Sequence, residues 1–122
     1  MRALDESFPF VPEVHLFHNR SKAERYIRKH FDKIPRFLGT GAQTWSDDGT
    51  AVVLMEYEGD WHSEAALLVH EAYHVMSYHF GDYMGEESPS EEFLAYGVQV
   101  VSKALFVAHE RWKRKRLKEE EQ

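Results

Sequence analysis

The segment from Ser63 to Phe80 limits the fold of this chain more than any other, because its polar and apolar residues recur at helical spacing. His70 and His74 lie one turn apart on the same face of the predicted helix. The opposite face is apolar and consists of Leu68, Val69, Ala72, Val75 and Met76. Such a helix packs against a core, so the segment predicts a buried helix whose polar stripe needs partners.

Residues 70–74 read HEAYH and match the HExxH pattern, in which two histidines four positions apart flank a glutamate. Both imidazoles can reach one ion from adjacent turns. Glu71 lies about 100° round the helix from His70, close to that ion, which suits a base acting on metal-bound water. Burial of these groups without partners costs roughly a few kcal/mol each, so we expect a metal ion to satisfy them.

A catalytic zinc site takes three protein ligands, so a third has to come from elsewhere in the chain. His79 lies nine residues after His70, about half a turn round the helix, and is predicted to face away. The longer motif HExxHxxGxxH is excluded, because Ser77 and Phe80 occupy its glycine and third-histidine positions.

The segment SPSEEF predicts the start of a last long helix and offers two glutamates as the third ligand. Ser88 is placed to cap this helix, Pro89 to occupy its first position and Glu91 to reach back to the cap. If Glu91 serves the cap, Glu92 is left free. The small Ala95 and Gly97 that follow would allow this helix to approach another closely. We therefore predict Glu92 as the ligand and keep Glu91 as the alternative.

The segments before the HExxH helix predict a small sheet with one further helix. Alternation at 13–19 indicates a strand. Ser21 with Glu24 forms a capping box that predicts a helix over 21–31, closed before Pro35. The turn signal Asp48-Gly49 predicts a hairpin whose second arm runs from Ala51 to Tyr57. The order is β-α-β-β-α-α, an α+β domain.

Composition limits what else the chain can be. The length of 122 residues suits one domain over 1–122, with a charged helix end at about 111–122. The absence of cysteine excludes disulfides, thiolate metal ligands and a cysteine nucleophile. No signal-like or membrane-spanning apolar stretch is present, which predicts a cytoplasmic protein without a membrane partner.

The combination of HEAYH with EFLAY, in which Glu92 lies eighteen residues after His74, resembles the gluzincin group of zincin metallopeptidases. It is most similar to the very small versions found among phage and mobile-element proteins. The resemblance covers about residues 51–101. It implies a minimal zincin-like domain, with a small, mostly antiparallel sheet packed on the HExxH helix and the long C-terminal helix.

The resemblance also implies an activity and a set of site residues. His70, His74 and Glu92 would bind one Zn²⁺ per chain, and Glu71 would be the general base of a zinc-dependent peptidase that hydrolyses a protein or peptide substrate. The substrate would lie antiparallel to the strand before the active-site helix, here an expected edge strand at about 52–57.

Where larger gluzincins often carry an acidic residue four positions after the ligand glutamate, this chain has Tyr96. The tetrahedral intermediate needs a hydrogen-bond donor besides the metal. Tyr96 shares a helix face with Glu92, so we predict it as that catalytic donor. Alternative donors are Tyr73, Tyr78 and His62. The histidines outside this region are expected to be structural or on the surface; they are His15, His18, His30 and His109.

The basic run within RWKRKRLKEEEQ has two interpretations. It could contact phosphates, or its cations could complement the dipole at the end of the helix. Lys115 with Glu119 and Arg116 with Glu120 lie at pairing distance on a helix, and the closing glutamates would repel nucleic acid. The net charge of −6 also disfavours binding to nucleic acid, so a nucleic-acid partner is not expected.

A second interpretation of the HExxH region remains open. The domain could be a non-catalytic zincin-fold module that binds a partner protein and uses the metal as a staple for its fold. A chain without any metal is the third possibility. The choice of metal among zinc, nickel, cobalt and manganese is also open, since histidine and carboxylate ligands suit all four.

Overall fold

The computed structural model describes residues 2–4, 11–83 and 91–121. The strands are β1 (Arg2–Leu4), β2 (Glu13–Phe17), β3 (Ala42–Asp47) and β4 (Thr50–Met55). The helices are α1 (Arg20–Phe31), α2 (Trp61–Tyr78) and α3 (Glu91–Glu120), and a π-helical turn at His79–Tyr83 extends α2. The predicted α+β class is confirmed, with the two long helices where the sequence predicts them.

The four strands form one sheet in the order β1-β2-β4-β3. β2 and β4 run parallel, whereas β1 pairs with β2 and β3 pairs with β4 in antiparallel fashion. The sheet is therefore mostly antiparallel, as expected. The two-residue hairpin turn between β3 and β4 is also confirmed, because Asp48 and Gly49 both take positive φ, at 48° and 79°.

β4 lies inside the sheet, so the prediction of an edge strand at 52–57 is wrong. It is bonded to β2 on one side and to β3 on the other. Its sequence TAVVLM explains this position, because a strand that is apolar at successive residues buries both of its faces. The end of the sheet next to β4 is formed by β3 instead.

The two faces of the sheet support two separate parts of the core. On one face, α1 buries Ala23 and Ile27 against Val52 and Leu54. On the other face, α2 and α3 pack against alternate residues of the same strand and of β2, namely Val14, Leu16, Ala51, Val53 and Met55. The sheet is thus enclosed between α1 and the α2–α3 pair.

The start of α1 differs from the prediction. The N-cap is Asn19, whose side chain accepts a hydrogen bond from the backbone N–H of Lys22 at 3.0 Å, and Ser21 is already inside the helix. Asparagine is as good a cap as serine, and the choice between them is not fixed by the capping-box pattern alone. The helix ends at Phe31, where Asp32 adopts the left-handed conformation, and the chain then passes through Pro35 without helix.

The apolar face of α2 is buried as predicted, except at one position. Leu68, Ala72, Val75 and Met76 are fully buried, whereas Val69 is 41% exposed and does not belong to the core. Val69 directly precedes His70 on the helix and lies on the edge of the polar stripe.

The tail of α3 is partly paired. Arg116 Nε lies 3.8 Å from Glu120 Oε1, which confirms one of the two expected pairs. Arg116 also binds Glu58. No ion pair joins Lys115 to Glu119 among the described side chains, so that expectation is wrong.

Helices α2 and α3 are in close contact at Gly97. This residue is buried, and a Cβ built on it would lie 2.8 Å from Sδ of Met76, which is itself fully buried. The prediction that a small residue here permits close approach is confirmed for Gly97, whereas Ala95 is exposed.

We expect Gly97→Ala to lower the free energy of unfolding less in a Met76→Leu background than in the wild type. Alanine is favoured over glycine in a helix by about 1 kcal/mol, but its Cβ meets the end of the Met76 side chain, which leucine lacks. Urea unfolding of the four proteins of the double-mutant cycle should give a favourable coupling of about 1 kcal/mol. Strictly additive free energies would show that this contact does not limit the spacing of the two helices.

Candidate metal centre

The two histidines of HEAYH converge on one point in front of α2. Asp60 caps this helix by accepting a hydrogen bond from the backbone N–H of Ser63 at 2.8 Å. His70 and His74 then lie one turn apart, and their Nε2 atoms are 3.1 Å from each other. Two nitrogens bound to one tetrahedral Zn²⁺ at 2.0–2.1 Å would be separated by about 3.3 Å. The pair thus has nearly the spacing that a shared ion requires.

Glu71 is buried behind this pair and is held by β3. Its side chain is 3% exposed, and its Oε1 accepts a hydrogen bond from the Thr44 hydroxyl at 2.7 Å. The bond fixes one carboxylate oxygen. Sequence reasoning did not identify Thr44, because it lies 27 positions before Glu71 and belongs to no motif. Only the packing of α2 beside β3 brings the two residues together.

The predicted third ligand lies apart from the two imidazoles. Glu92 is exposed in the first turn of α3, as is its alternative Glu91. Across residues 2–4, 11–83 and 91–121, no group of three His, Asp or Glu side chains is gathered closely enough to hold an ion. The capping residues Ser88 and Pro89 lie outside the described residues. The assignment of Glu92 as a ligand therefore stays a prediction.

The candidate hydrogen-bond donors differ in how they lie relative to the histidines. Tyr78 stacks on His74, with ring centroids 5.6 Å apart and planes inclined by 23°. Tyr73 lies at 6.2 Å from the same ring. Tyr96, the predicted donor, is 44% exposed on α3, and His62 is exposed near the start of α2. Tyr78 is thus the candidate with a stacked contact to a predicted ligand.

His79 has a different environment from the two histidines of the motif. It lies at the start of the π-helical turn and is 2% exposed. Burial lowers the pKa of His79 below its ordinary value. The expectation that His79 faces away from His70 and His74 stays a prediction.

A second polar cluster is buried under α2, and the sequence did not predict it. Glu64 is fully buried and accepts hydrogen bonds from the backbone N–H of Gly59 at 3.0 Å and from His109 Nε2 at 2.8 Å. Lys113 also contacts the same carboxylate. His109 Nδ1 lies 2.8 Å from His18 Nε2. Two of the histidines expected to be structural or on the surface, His18 and His109, thus form a hydrogen-bonded chain with Glu64.

The charge states in this cluster follow from burial and hydrogen bonding. The bonds from Gly59, Lys113 and His109 outweigh desolvation, which acts in the opposite direction, and lower the pKa of Glu64 to about 2. Burial, followed by the positive field of His109, lowers the pKa of His18 to about 3. At pH 7, Glu64 is therefore an anion and His18 a neutral imidazole.

We expect His18 to contribute to a loss of stability in mild acid. The pKa of His18 is lower in the folded state than its ordinary value of 6.5. The stability that depends on a neutral His18 is therefore fully present above pH 6.5 and is lost as the pH falls towards 3. Between pH 6.5 and 5 this loss is about 1–2 kcal/mol. Urea unfolding at several pH values should show a flatter pH dependence for His18→Gln than for the wild type.

The matched control for this measurement is His62→Gln, which replaces an exposed histidine on α2. Its pH dependence should follow the wild type. Equal slopes for His18→Gln and the wild type would show that His18 is not desolvated in the folded protein.

Comparisons with protein-family models, with curated proteins and with solved structures give no match for this chain. Within the described residues, no helix is both long and apolar enough to cross a membrane.

Proposed function

We propose that this chain is a small zinc-dependent peptidase of the zincin class, acting in the cytoplasm on a protein or peptide substrate. The observation that carries the proposal is the 3.1 Å separation of the Nε2 atoms of His70 and His74. Glu71, buried beside them and fixed by Thr44, is the second feature in its support.

The side chains fit a zinc ion by their chemistry. Two imidazoles and one carboxylate are a common ligand set for catalytic zinc, and His70, His74 and Glu92 would supply that set. Glu92 is exposed at the start of α3, so its long side chain is not committed to the core. When bound, the ion would acidify a water molecule and polarise the substrate carbonyl.

Glu71 would act as general base and then as general acid. It removes a proton from the attacking water and later delivers it to the leaving amine of the cleaved peptide bond. The hydrogen bond from Thr44 occupies Oε1, so the proton is carried by Oε2. Thr44 is thus a positioning residue, which holds the carboxylate in one orientation. Tyr96 remains the predicted donor to the oxyanion, with Tyr78 as the alternative that contacts His74.

The position of β3 supports an extended peptide as the substrate. β3 ends the sheet order on the side of β4 and carries Thr44, which touches Glu71. A peptide that pairs with the outer edge of β3 would extend the sheet by one strand and pass close to the HExxH helix. This edge replaces the inner strand at 52–57 as the proposed substrate-binding strand.

The alternative proposal is a non-catalytic metal-binding module that recognises a partner protein. Large apolar side chains that are exposed beside the two histidines on α2 favour it: Val69, Tyr73 and Tyr78. Exposed apolar side chains that lie together mark interaction surfaces in many proteins. Both proposals need the metal, and they differ in whether Glu71 has a chemical role.

The first test is the zinc content and the zinc-dependent stability of the purified protein. We expect about one zinc per chain, and a rise of about 3 kcal/mol in the free energy of unfolding at a zinc concentration one hundred times the Kd. His74→Ala and Glu92→Ala should each lose the bound zinc and the added stability. Elemental analysis and urea unfolding with and without a chelator measure the two quantities.

Two neighbouring variants serve as controls for the ligand set. Glu91→Ala removes the adjacent exposed carboxylate, and His62→Ala removes an exposed histidine of the same helix, so both should keep the zinc. Loss of zinc in Glu91→Ala with retention in Glu92→Ala would move the third ligand to Glu91. A wild type that takes up no zinc would contradict the metal site itself.

The second test separates the peptidase from the binding module. Glu71→Gln should keep the zinc and lower cleavage of a peptide library by at least about 10³-fold, because the amide cannot accept the proton. Thr44→Val, nearly equal in size, should lower cleavage by about tenfold, since it leaves the Glu71 carboxylate in place without its fixed orientation. Cleavage that is unaffected by Glu71→Gln would favour the binding module.

A further inference from the structure

A cleft lies on the opposite end of α3 from Glu92, where this helix passes the end of β2 and the start of α1. Its volume is about 460 Å³, which is within the range of small-molecule sites. The aromatic and charged side chains that line it come from β2, from α1, from α3 and from the segment that joins β2 to α1, and they include His18, Lys22, Trp112, Lys115, Arg116 and Glu119. None of these residues belongs to the candidate metal centre.

The cleft carries two unpaired cations in a chain that is negative as a whole. Lys22, Lys115 and Arg116 line it together with the carboxylate of Glu119, whereas the net charge of the chain is −6. Arg116 is paired with Glu58 and Glu120, so the two lysines supply the unpaired positive charge. Lys22 and Lys115 have no ion-pair partner among the described residues. Both ammonium groups are therefore available to a ligand, and unpaired cations in a concave surface attract anions.

The wall of the cleft is held in place from the core. Trp112 stacks on His18, with ring centroids 3.8 Å apart and planes within 3°, and the Arg116 guanidinium lies 4.5 Å from the centre of the same indole. His18 is bonded to His109, and His109 to the buried Glu64. Arg116 is oriented further by Glu58. These bonds fix the side chains before any ligand arrives, which lowers the entropic cost of binding.

We propose that this cleft binds the phosphate group of a small molecule. Two lysines without partners and an oriented arginine together favour a doubly charged oxyanion, and arginine and lysine are the usual protein ligands of phosphate. The cleft is larger than an inorganic ion requires, so a phosphate monoester whose organic part rests on the side chains of Phe17 and Trp112 fits it better than free phosphate.

The test is a titration of the full-length chain with inorganic phosphate and with phenyl phosphate at constant ionic strength, with chloride as the balancing anion. The readout is the NMR signal of the Trp112 indole N–H, assigned from the spectrum of Trp112→Phe. We expect a saturable shift with both anions and at least a threefold higher affinity for phenyl phosphate. Equal affinities would assign the site to free phosphate.

Two double variants distinguish a specific binding site from a general electrostatic attraction of anions. Lys22→Gln/Lys115→Gln should weaken binding at least tenfold. The control Lys29→Gln/Lys103→Gln removes the same charge from exposed positions of the same two helices and should change the affinity less than twofold. All four lysines are exposed, so the fold is retained. A shift that does not saturate, or equal losses in the two double variants, would overturn the proposal.

Discussion

The burial of β4 on both faces determines where everything else in this domain lies. A strand whose successive residues Val52, Val53 and Leu54 are all removed from water needs an apolar layer on each side. α1 supplies one layer, and the α2–α3 pair supplies the other. Because the parallel pairing of β2 with β4 requires a crossover, α1 and β3 come between them in sequence, and β3 reaches the end of the sheet beside α2. The contact between Thr44 and Glu71 is a result of that order.

Two carboxylates on α2 are buried, and the protein satisfies them in different ways. Glu64 receives several donors, including a lysine and a histidine, and is a fixed anion in the interior. Glu71 receives one side-chain donor, the Thr44 hydroxyl. The fully bonded carboxylate has little capacity left for chemistry, whereas the singly bonded one retains an oxygen for a proton. The difference agrees with a structural role for Glu64 and with the role proposed for Glu71.

Much of this architecture could be predicted from local patterns, and the remainder depended on contacts between distant residues. The hairpin turn at Asp48-Gly49 and the buried side of α2 follow from turn chemistry and helical period, which are properties of neighbouring residues. The strand order does not follow from such local patterns. The unbroken apolar run of β4 did indicate an inner strand, but the prediction of an edge strand overlooked it. The Glu64–His109–His18 chain joins residues up to 91 positions apart, beyond the reach of any spacing rule. The predicted ligand Glu92 rests on a capping argument about residues 88–91, which are only partly described.

Because α3 is one long helix, it connects the two ends of the domain rigidly. Its 30 residues form one uninterrupted helix, which is in close contact with Met76 of α2 at Gly97, near one end. At a rise of 1.5 Å per residue, Glu92 lies about 8 Å from that point and Arg116 about 29 Å on the other side. A tilt of α3 about Gly97 would therefore displace Arg116, in the cleft, about four times as far as Glu92, and in the opposite direction. Small adjustments around the histidines would be amplified at the far end of the molecule.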